Sequence, residues 1–201
     1  RANQIVVGSQ HLADFARQHC TDPARITIIP TVVDAQVYAK RQVPKNAEFV
    51  TIGWVGTPRG SRAFLEPLLP TIKEFAQQYP QVRWRFVGAE AFEVGNLPVE
   101  FVRWSLPDEV ANIQSFDIGL MPLTDDAFTR GKCGFKLIQY MHCAIPVVCS
   151  PVGANCDIVQ QGVSGYFAVE PSQWTEALRS LIEQPQLRLN MGEQGRARAL
   201  E

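Results

Sequence analysis

The sequence has almost no net charge and lacks long hydrophobic runs. Lys and Arg number 19 and Asp and Glu number 20, so the 201-residue chain carries a formal net charge of −1. A chain with this balance has no overall field that attracts nucleic acid, and any anion site must therefore be local. No uninterrupted apolar stretch approaches the roughly 18–20 residues that cross a bilayer. We accordingly expect neither a nucleic-acid partner nor a transmembrane span.

The spacing of the cysteines matches neither a disulfide scaffold nor a zinc finger. The count is odd, no C-x-x-C pair occurs, and the flanking residues are typical of a protein core. This pattern predicts reduced thiols in a cytoplasmic protein. His142-Cys143 is the best candidate for metal ligands, but adjacent residues project in different directions from a helix. We therefore expect no metal site. The cysteines are Cys20, Cys133, Cys143, Cys149 and Cys156.

The common phosphate-binding motifs are absent as well. No G-x-G-x-x-G follows a predicted strand, which argues against a dinucleotide dehydrogenase. Gly56 and Gly60 lack the Gly-Lys-Ser/Thr ending of a Walker loop, which argues against an NTPase. No Asp-x-Asp occurs, because Asp125 and Asp126 are adjacent, so a Mg²⁺ or Mn²⁺ clamp on a diphosphate has no obvious ligands. If a diphosphate is bound, backbone dipoles and cationic side chains must hold it without a metal.

The sequence does contain a regular alternation of strand and helix patterns. It predicts an α/β, Rossmann-like, three-layer domain with a mainly parallel sheet. Residues 65–76 form a helical stripe that Pro70 should kink or break. The connection Gly88–Pro98 is tight for a helical crossover, so its form stays open. The predicted strands are Ile5–Val7, Ile26–Ile29, Phe49–Val55, Val82–Val87, Val99–Val102, Ile118–Met121, Pro146–Cys149 and Tyr166–Val169.

The composition changes at Thr31–Ala47, a polar stretch without a long apolar stripe. We interpret residues 1–45 as the remnant of one domain plus a linker, and residues 46–201 as a complete layered domain. Arg1 is not a start methionine and a strand follows almost at once. We therefore expect the chain to be a piece of a longer protein.

The loops that follow the predicted strands hold the candidate chemistry, because ligands of open α/β sheets bind beyond the carboxyl ends of the strands. Gly56–Ser61 and Pro122–Gly134 combine glycine with the cations Arg59, Arg130 and Lys132. Glycine lets backbone N–H groups approach an anion, and a following helix start adds partial positive charge. This predicts a phosphate site, although glycine and arginine are also common in loops without a ligand.

The segment Thr129–Met141 has the highest density of such residues. If a helix starts near Lys132, then Lys132, Lys136 and Gln139 lie at i, i+4 and i+7 on one face. Cations at a helix N-terminus oppose the helix dipole and are mildly unfavourable without an anion. This favours a functional role over a solvated lysine face.

The chain resembles the C-terminal half of a family 4 (group 1) glycosyltransferase of the GT-B fold. In that family two Rossmann-like domains face each other across a cleft. The C-terminal domain binds the nucleotide-sugar donor, and the N-terminal domain mainly binds the acceptor. The resemblance covers nearly the whole chain and is most specific over residues 131–153. Its other parts are Val7–Ala13, Ile28–Asp34, Gly53–Pro58, Asp117–Leu123, Gly162–Tyr166, Trp174 and Arg188–Arg196.

The resemblance implies that residues 1–45 end the acceptor domain and that residues 46–201 bind the nucleotide sugar. It implies transfer of a sugar, with retention, from a UDP- or GDP-sugar to a glycan, lipid or small-molecule acceptor, with no metal or other cofactor. It places the protein in the cytoplasm or at the inner face of the membrane, with peripheral membrane contact. The isolated piece should be inactive. A flavodoxin-like domain is disfavoured because Gly53–Gly56 has no acid.

The sequence departs from the family pattern at two places. The family carries Glu-x7-Glu at the start of this helix, and the matching positions here are Gly131 and Gln139. Gln139 can still bond to ribose hydroxyls, without charge, and Gln139→Glu should keep or raise donor affinity. The family also tends to place Arg and Lys after the first strand, where Thr57 and Arg59 stand. A non-catalytic nucleotide-sugar-binding module is therefore the alternative function.

The resemblance assigns a role to each candidate residue. Arg59 and Lys132 are the expected catalytic cations, which stabilise the departing diphosphate. Trp104 either stacks on the base or is an ordinary rim or core tryptophan. The expected donor-binding residues are Gly56 and Thr57 in the first loop, Gly134 and Phe135 through backbone N–H groups, Lys136 at phosphate, Gln139 at ribose, and Val102, Arg103 and Trp104 at the base.

Overall fold

Two parallel sheets form the framework of the chain. The computed structural model describes residues 3–42 and 48–201. A two-stranded sheet pairs β1 with β2, and a six-stranded sheet has the order β5-β4-β3-β6-β7-β8, with every neighbouring pair parallel. The strands are β1 Ile5–Val7, β2 Ile26–Ile28, β3 Val50–Val55, β4 Val82–Val87, β5 Val99–Val102, β6 Ile118–Met121, β7 Val147–Cys149 and β8 Gly165–Phe167.

Helices cover both faces of the larger sheet. Because both faces are covered, β6 and β7 are buried at every residue, which explains their unbroken apolar runs. The predicted strands are confirmed, with ends that differ by one or two residues. The helices are α1 Gln10–His19, α2 Ser61–Leu65, α3 Leu69–Gln78, α4 Glu109–Gln114, α5 Ala127–Arg130, α6 Phe135–His142, α7 Asn155–Ile158, α8 Pro171–Glu183 and α9 Pro185–Ala199.

The predicted break in the helical stripe lies just before Pro70. A 3-10 turn at Glu66–Leu68 separates α2 from α3 and contains Pro67. Pro70 occupies the first turn of α3, where a missing N–H group costs no hydrogen bond. The connection Gly88–Pro98, whose form the sequence left open, contains no helix.

The described part of the predicted linker packs on the larger unit. The side chain of Arg41 is 5% exposed and pairs with Asp117 at 3.0 Å, while its backbone N–H donates to the carbonyl of Cys143. Tyr38 is buried as well, at 9% exposure. We call residues 31–42 the crossing segment. The predicted domain boundary at 45/46 lies outside the described residues and stays a prediction.

Two glycines in the central strands make room for aromatic rings that pack on the sheet, and one of these rings belongs to α6. A Cβ atom at Gly119 would lie 2.5 Å from the ring of Tyr140, and one at Gly53 would lie 2.1 Å from Phe116. The hydroxyl of Tyr140 then accepts from the backbone N–H of Val55 at 2.9 Å. This bond fixes α6 against the carboxyl end of β3, which is the edge where ligands of such sheets bind.

Candidate functional site

A cavity of about 410 Å³ opens at the carboxyl edge of the sheet, between the end of β3 and the start of α6. We call it the main cavity. It lies where the sequence predicted a site, and it brings together segments that are far apart in the chain. Its walls come from the loop after β3, the start of α4, the end of β6 and the turn before α6. The lining residues are Val55, Gly56, Thr57, Pro58, Trp104, Glu109, Met121, Lys132, Cys133, Gly134, Phe135, Lys136 and Gln139.

The helix begins at Phe135, so the prediction that it starts near Lys132 is wrong. Gly134 has a φ of +67°, and a Cβ atom there would lie 2.2 Å from Cδ1 of Ile158. This left-handed residue separates Lys132 from the helix, so the i, i+4, i+7 spacing does not apply. The turn nevertheless brings Lys132 to the same cavity as Lys136. The N–H groups of Phe135 and Lys136 have no acceptor within the helix.

Lys136 lies in a tight, largely apolar part of the cavity wall. Its ammonium lies 5.1 Å from the ring centroid of Trp54. A Cβ atom at Gly56 would come within 3.0 Å of its Cε, so glycine gives the lysine room. Burial, with a smaller effect from the charge of Lys132, lowers the pKa of Lys136 to about 8. An anion in the cavity would favour the charged form of Lys136.

Lys132 is also held by aromatic rings. Its ammonium lies 4.7 Å from the ring centroid of Phe128 and 5.7 Å from that of Phe64. Cation–π contacts of this kind hold a cation without neutralising it. Across residues 3–42 and 48–201, neither Lys132 nor Lys136 forms an ion pair with a carboxylate. We call this part of the main cavity the basic end.

A carboxylate also lines the main cavity. Glu109, the first residue of α4, accepts from Trp104 Nε1 at 2.6 Å and from Gln139 Nε2 at 3.0 Å. The hydroxyl of Tyr38 donates to it as well, at 2.5 Å. Burial, together with the bond to Glu109, raises the pKa of Tyr38 to about 12, so its hydroxyl keeps its proton. We call Glu109 and these three partners the acidic end.

Sequence reasoning missed Glu109 and Tyr38. An acidic residue in the first turn of a helix is common, because it complements the helix dipole, so Glu109 gave no distinctive signal. Tyr38 stands in the polar stretch that was interpreted as a linker. Only the folded chain brings these two residues together with Gln139.

Gln139 lines the main cavity, and its amide is engaged by two other protein groups. Its side chain is 2% exposed, and its amide donates to Tyr38 Oη at 2.8 Å as well as to Glu109. A glutamate in this place would set two carboxylates against each other. The geometry therefore reverses the expectation for Gln139→Glu from a gain in affinity to a loss.

A second cavity, of about 430 Å³, adjoins the first at the ends of β4 and β5. It shares Pro58 and Trp104 with the main cavity. Trp104 is 41% exposed and donates to Glu109, so it is a rim residue rather than a core one. The three residues predicted at the base line this second cavity, which is formed by Pro58, Gly88, Ala89, Phe101, Val102, Arg103 and Trp104.

Two predicted cations are not at the cavity walls. Arg59 is exposed and lines neither cavity, so the geometry lends no support to its predicted catalytic role, which stays a prediction. Arg130 forms an ion pair with Asp125 on the surface. Gly131 ends α5 and is likewise outside the lining.

The described part of the chain holds neither a cluster of metal ligands nor a membrane-spanning helix. There, no three His, Cys, Asp or Glu side chains come together as a metal site would require. Over the same residues, none of the helices combines the length and the apolar character needed to span a bilayer. The five cysteines are free thiols. Metal-free ligand binding stays a prediction.

The sequence matches the family model described as glycosyl transferases group 1 over residues 47–184, which is more than half of the chain. The chain belongs to this family. Curated protein sequences contain no significant match to it. The family match confirms the resemblance seen in the sequence.

Solved structures confirm the predicted fold, that of the C-terminal half of a GT-B enzyme. Anabaena Alr3699/HepE in complex with UDP and glucose matches with a TM-score of 0.79 and 18% identity over 98% of this chain and 58% of that one. WaaG, a glycosyltransferase of lipopolysaccharide biosynthesis, matches with a TM-score of 0.76 and 19% identity over 98% and 58%. The C-terminal domain of Francisella tularensis LpcC matches with a TM-score of 0.63 and 17% identity over 84% and 96%. The chain thus spans less than two thirds of HepE and WaaG.

Proposed function

We propose that the main cavity binds the donor of a glycosyltransferase, a nucleoside diphosphate sugar, and that the whole protein transfers its sugar with retention. The observation that carries this proposal is the pair of uncompensated lysines beside the start of α6. Structures of HepE with UDP and with UDP-glucose support a uridine donor for that fold. The acceptor (glycan, lipid or small molecule) is assigned to the facing domain, and the site of action to the cytoplasm or the inner face of the membrane.

The basic end would act on the leaving diphosphate. Negative charge develops on it as the bond to the sugar breaks, and donors fixed in advance stabilise that charge without reorganisation. Lys132 and Lys136 supply two cations, and the N–H groups of Phe135 and Lys136 supply aligned dipoles. Each hydrogen bond to a charged group contributes about 1.5–3 kcal/mol. These groups provide the charge that a metal ion provides in other diphosphate sites, so we propose donor binding without a metal.

The alternative is a module that binds the nucleotide sugar without transferring it. Gly131 and Gln139 favour it, because both stand where the family carries glutamate. Turnover separates the two functions: the full-length protein, given UDP-glucose or a GDP-sugar, should release nucleoside diphosphate faster than the sugar donor decays alone. The 201-residue chain should release none, because the facing domain completes the site.

Calorimetry on the 201-residue chain tests donor binding directly. We expect UDP or GDP to bind. Lys136→Ala should weaken the binding of that nucleotide by about 10-fold or more and leave the binding of the parent nucleoside nearly unchanged. Lys73→Ala, which removes an exposed lysine from α3, is the matched control and should have no effect. Equal losses for nucleotide and nucleoside in Lys136→Ala, or no heat with either nucleotide, would refute the proposal.

A further inference from the structure

The acidic end takes no part in the proposed binding of the diphosphate, yet it lines the same cavity. We propose that Glu109 recognises the ribose, by accepting a hydrogen bond from its 2′- or 3′-hydroxyl, and that Tyr38 and Gln139 position Glu109 for this. The inference rests on the proposed function and adds the residue that selects ribose.

The hydrogen bonds of Glu109 leave acceptor capacity for a ligand. An ionised carboxylate can accept about four hydrogen bonds, and Glu109 receives three, from Trp104, Gln139 and Tyr38. All three donors are neutral. Within the described residues Glu109 has no cationic partner, so its charge is supported but not cancelled. A charged acceptor facing a cavity pairs best with hydroxyl donors and repels phosphate.

The two cavities together hold groups that suit the three parts of a nucleoside diphosphate. Lys136 lies beside Trp54 and Gly56 at the basic end. Glu109 is bonded to Trp104, which also lines the second cavity. Cations for the diphosphate, a carboxylate for a ribose hydroxyl and an adjoining cavity for the base are therefore present in two connected cavities.

The two supporting residues are bonded to Glu109 and to each other. Both donor hydrogens of the Gln139 amide are taken, one by Tyr38 and one by Glu109. Tyr38 is buried and comes from the crossing segment, whose position is fixed by the ion pair of Arg41 with Asp117. The carboxylate that the family places on α6 is thus supplied here from α4, with Gln139 as its support.

The test compares UDP with 2′,3′-dideoxy-UDP in calorimetry on the 201-residue chain, or GDP with its dideoxy form if GDP binds more tightly. The wild-type chain should prefer the ribonucleotide by about 10-fold or more. Glu109→Gln keeps the shape of the side chain but removes its charge, and it should reduce this preference to about 2-fold or less. Its affinity for the dideoxy form should stay near that of the wild type. A preference that survives Glu109→Gln in full would overturn the inference.

A second variant covers the case in which Glu109→Gln is poorly folded. Tyr38→Phe removes one donor to Glu109 and should lower the preference about 2- to 5-fold, with the dideoxy affinity unchanged. A purely structural role for Tyr38 would weaken both nucleotides alike and leave the preference intact, which would remove Tyr38 from the inference.

Lys136→Ala separates the failure of this inference from that of the proposed function. It should weaken the binding of the ribonucleotide and of its dideoxy form equally, so that the preference for ribose is retained. If Lys136→Ala weakens both but Glu109→Gln keeps the preference, the ribose assignment is wrong and the donor site stands. If the wild-type chain binds neither UDP nor GDP, both proposals are wrong.

Discussion

The two ends of the main cavity hold charge in different ways. At the basic end, the ammonium groups of Lys132 and Lys136 lie against aromatic rings, with no carboxylate partner in the described structure. At the acidic end, Glu109 is surrounded by three neutral donors. In neither case is the charge cancelled. By contrast, the buried Arg41 is paired with Asp117 at 3.0 Å. Charge that is positioned but not neutralised is what a ligand-binding site requires.

The largest effect should come from removing both lysines of the basic end. Lys132→Ala combined with Lys136→Ala should weaken the binding of UDP by about 100-fold or more, because two charge-assisted contacts are lost together. The binding of uridine should change little. Isothermal calorimetry at low salt measures both affinities. A double variant that binds UDP as tightly as the wild type would show that the diphosphate lies elsewhere.

A charge added to the acidic end should have the next largest effect. Gln139→Glu replaces the amide that lies 3.0 Å from Glu109 by a second carboxylate. Like charges at this distance raise the pKa of one carboxyl group, and the repulsion displaces Glu109. UDP should bind about 10-fold more weakly at pH 8. The loss should be smaller at pH 6, because a proton shared by the pair restores a hydrogen bond. Undiminished affinity at pH 8 would contradict the acidic end as described.

The basic end should also respond to pH. The pKa of Lys136 is about 8 in the unliganded chain, and a bound diphosphate should raise it, since it favours the charged form. Affinity for UDP should therefore fall as pH rises, by about 10-fold between pH 7 and pH 9. This range avoids the titration of the phosphate itself, near pH 6. Lys136→Arg, which stays charged throughout, should remove most of the fall. A wild-type affinity that does not change from pH 7 to pH 9 would show that Lys136 does not bind phosphate.

The smallest effect should come from the ring that holds Lys132. Phe128→Ala removes a largely exposed cation–π contact, and such contacts contribute about 0.5–1 kcal/mol. UDP should bind about 2- to 5-fold more weakly. Phe15→Ala, which removes an equally large exposed ring from α1, is the control and should have no effect. Equal results for the two variants would mean that Phe128 does not position Lys132.

The basic end could be predicted from the sequence because its residues are neighbours in the chain. Lys132, Gly134 and Lys136 fall within one short segment, which forms the turn before α6 and the start of that helix at the carboxyl edge of the sheet. The strands were predictable for a similar reason, since each is a short run of β-branched and aromatic residues. The start of α6 was misplaced because the positive φ of Gly134 is a property of the folded turn.

The acidic end could not be predicted because its bonds join distant parts of the chain. Tyr38 and Glu109 are 71 residues apart, and Glu109 and Gln139 are 30 apart. Each of these residues has an ordinary local explanation, and their common function depends on the packing of the crossing segment, α4 and α6. Periodicity and motifs report on neighbours along a chain, so they carry no information about such contacts.

A crystal structure of the 201-residue chain with UDP or GDP would test the donor site most directly. We predict diphosphate oxygens within hydrogen-bonding distance of Lys136 Nζ and of the backbone N–H of Phe135, with a ribose hydroxyl on the carboxylate of Glu109. A nucleotide bound away from the turn before Phe135, or one whose diphosphate lies at Glu109, would contradict the account.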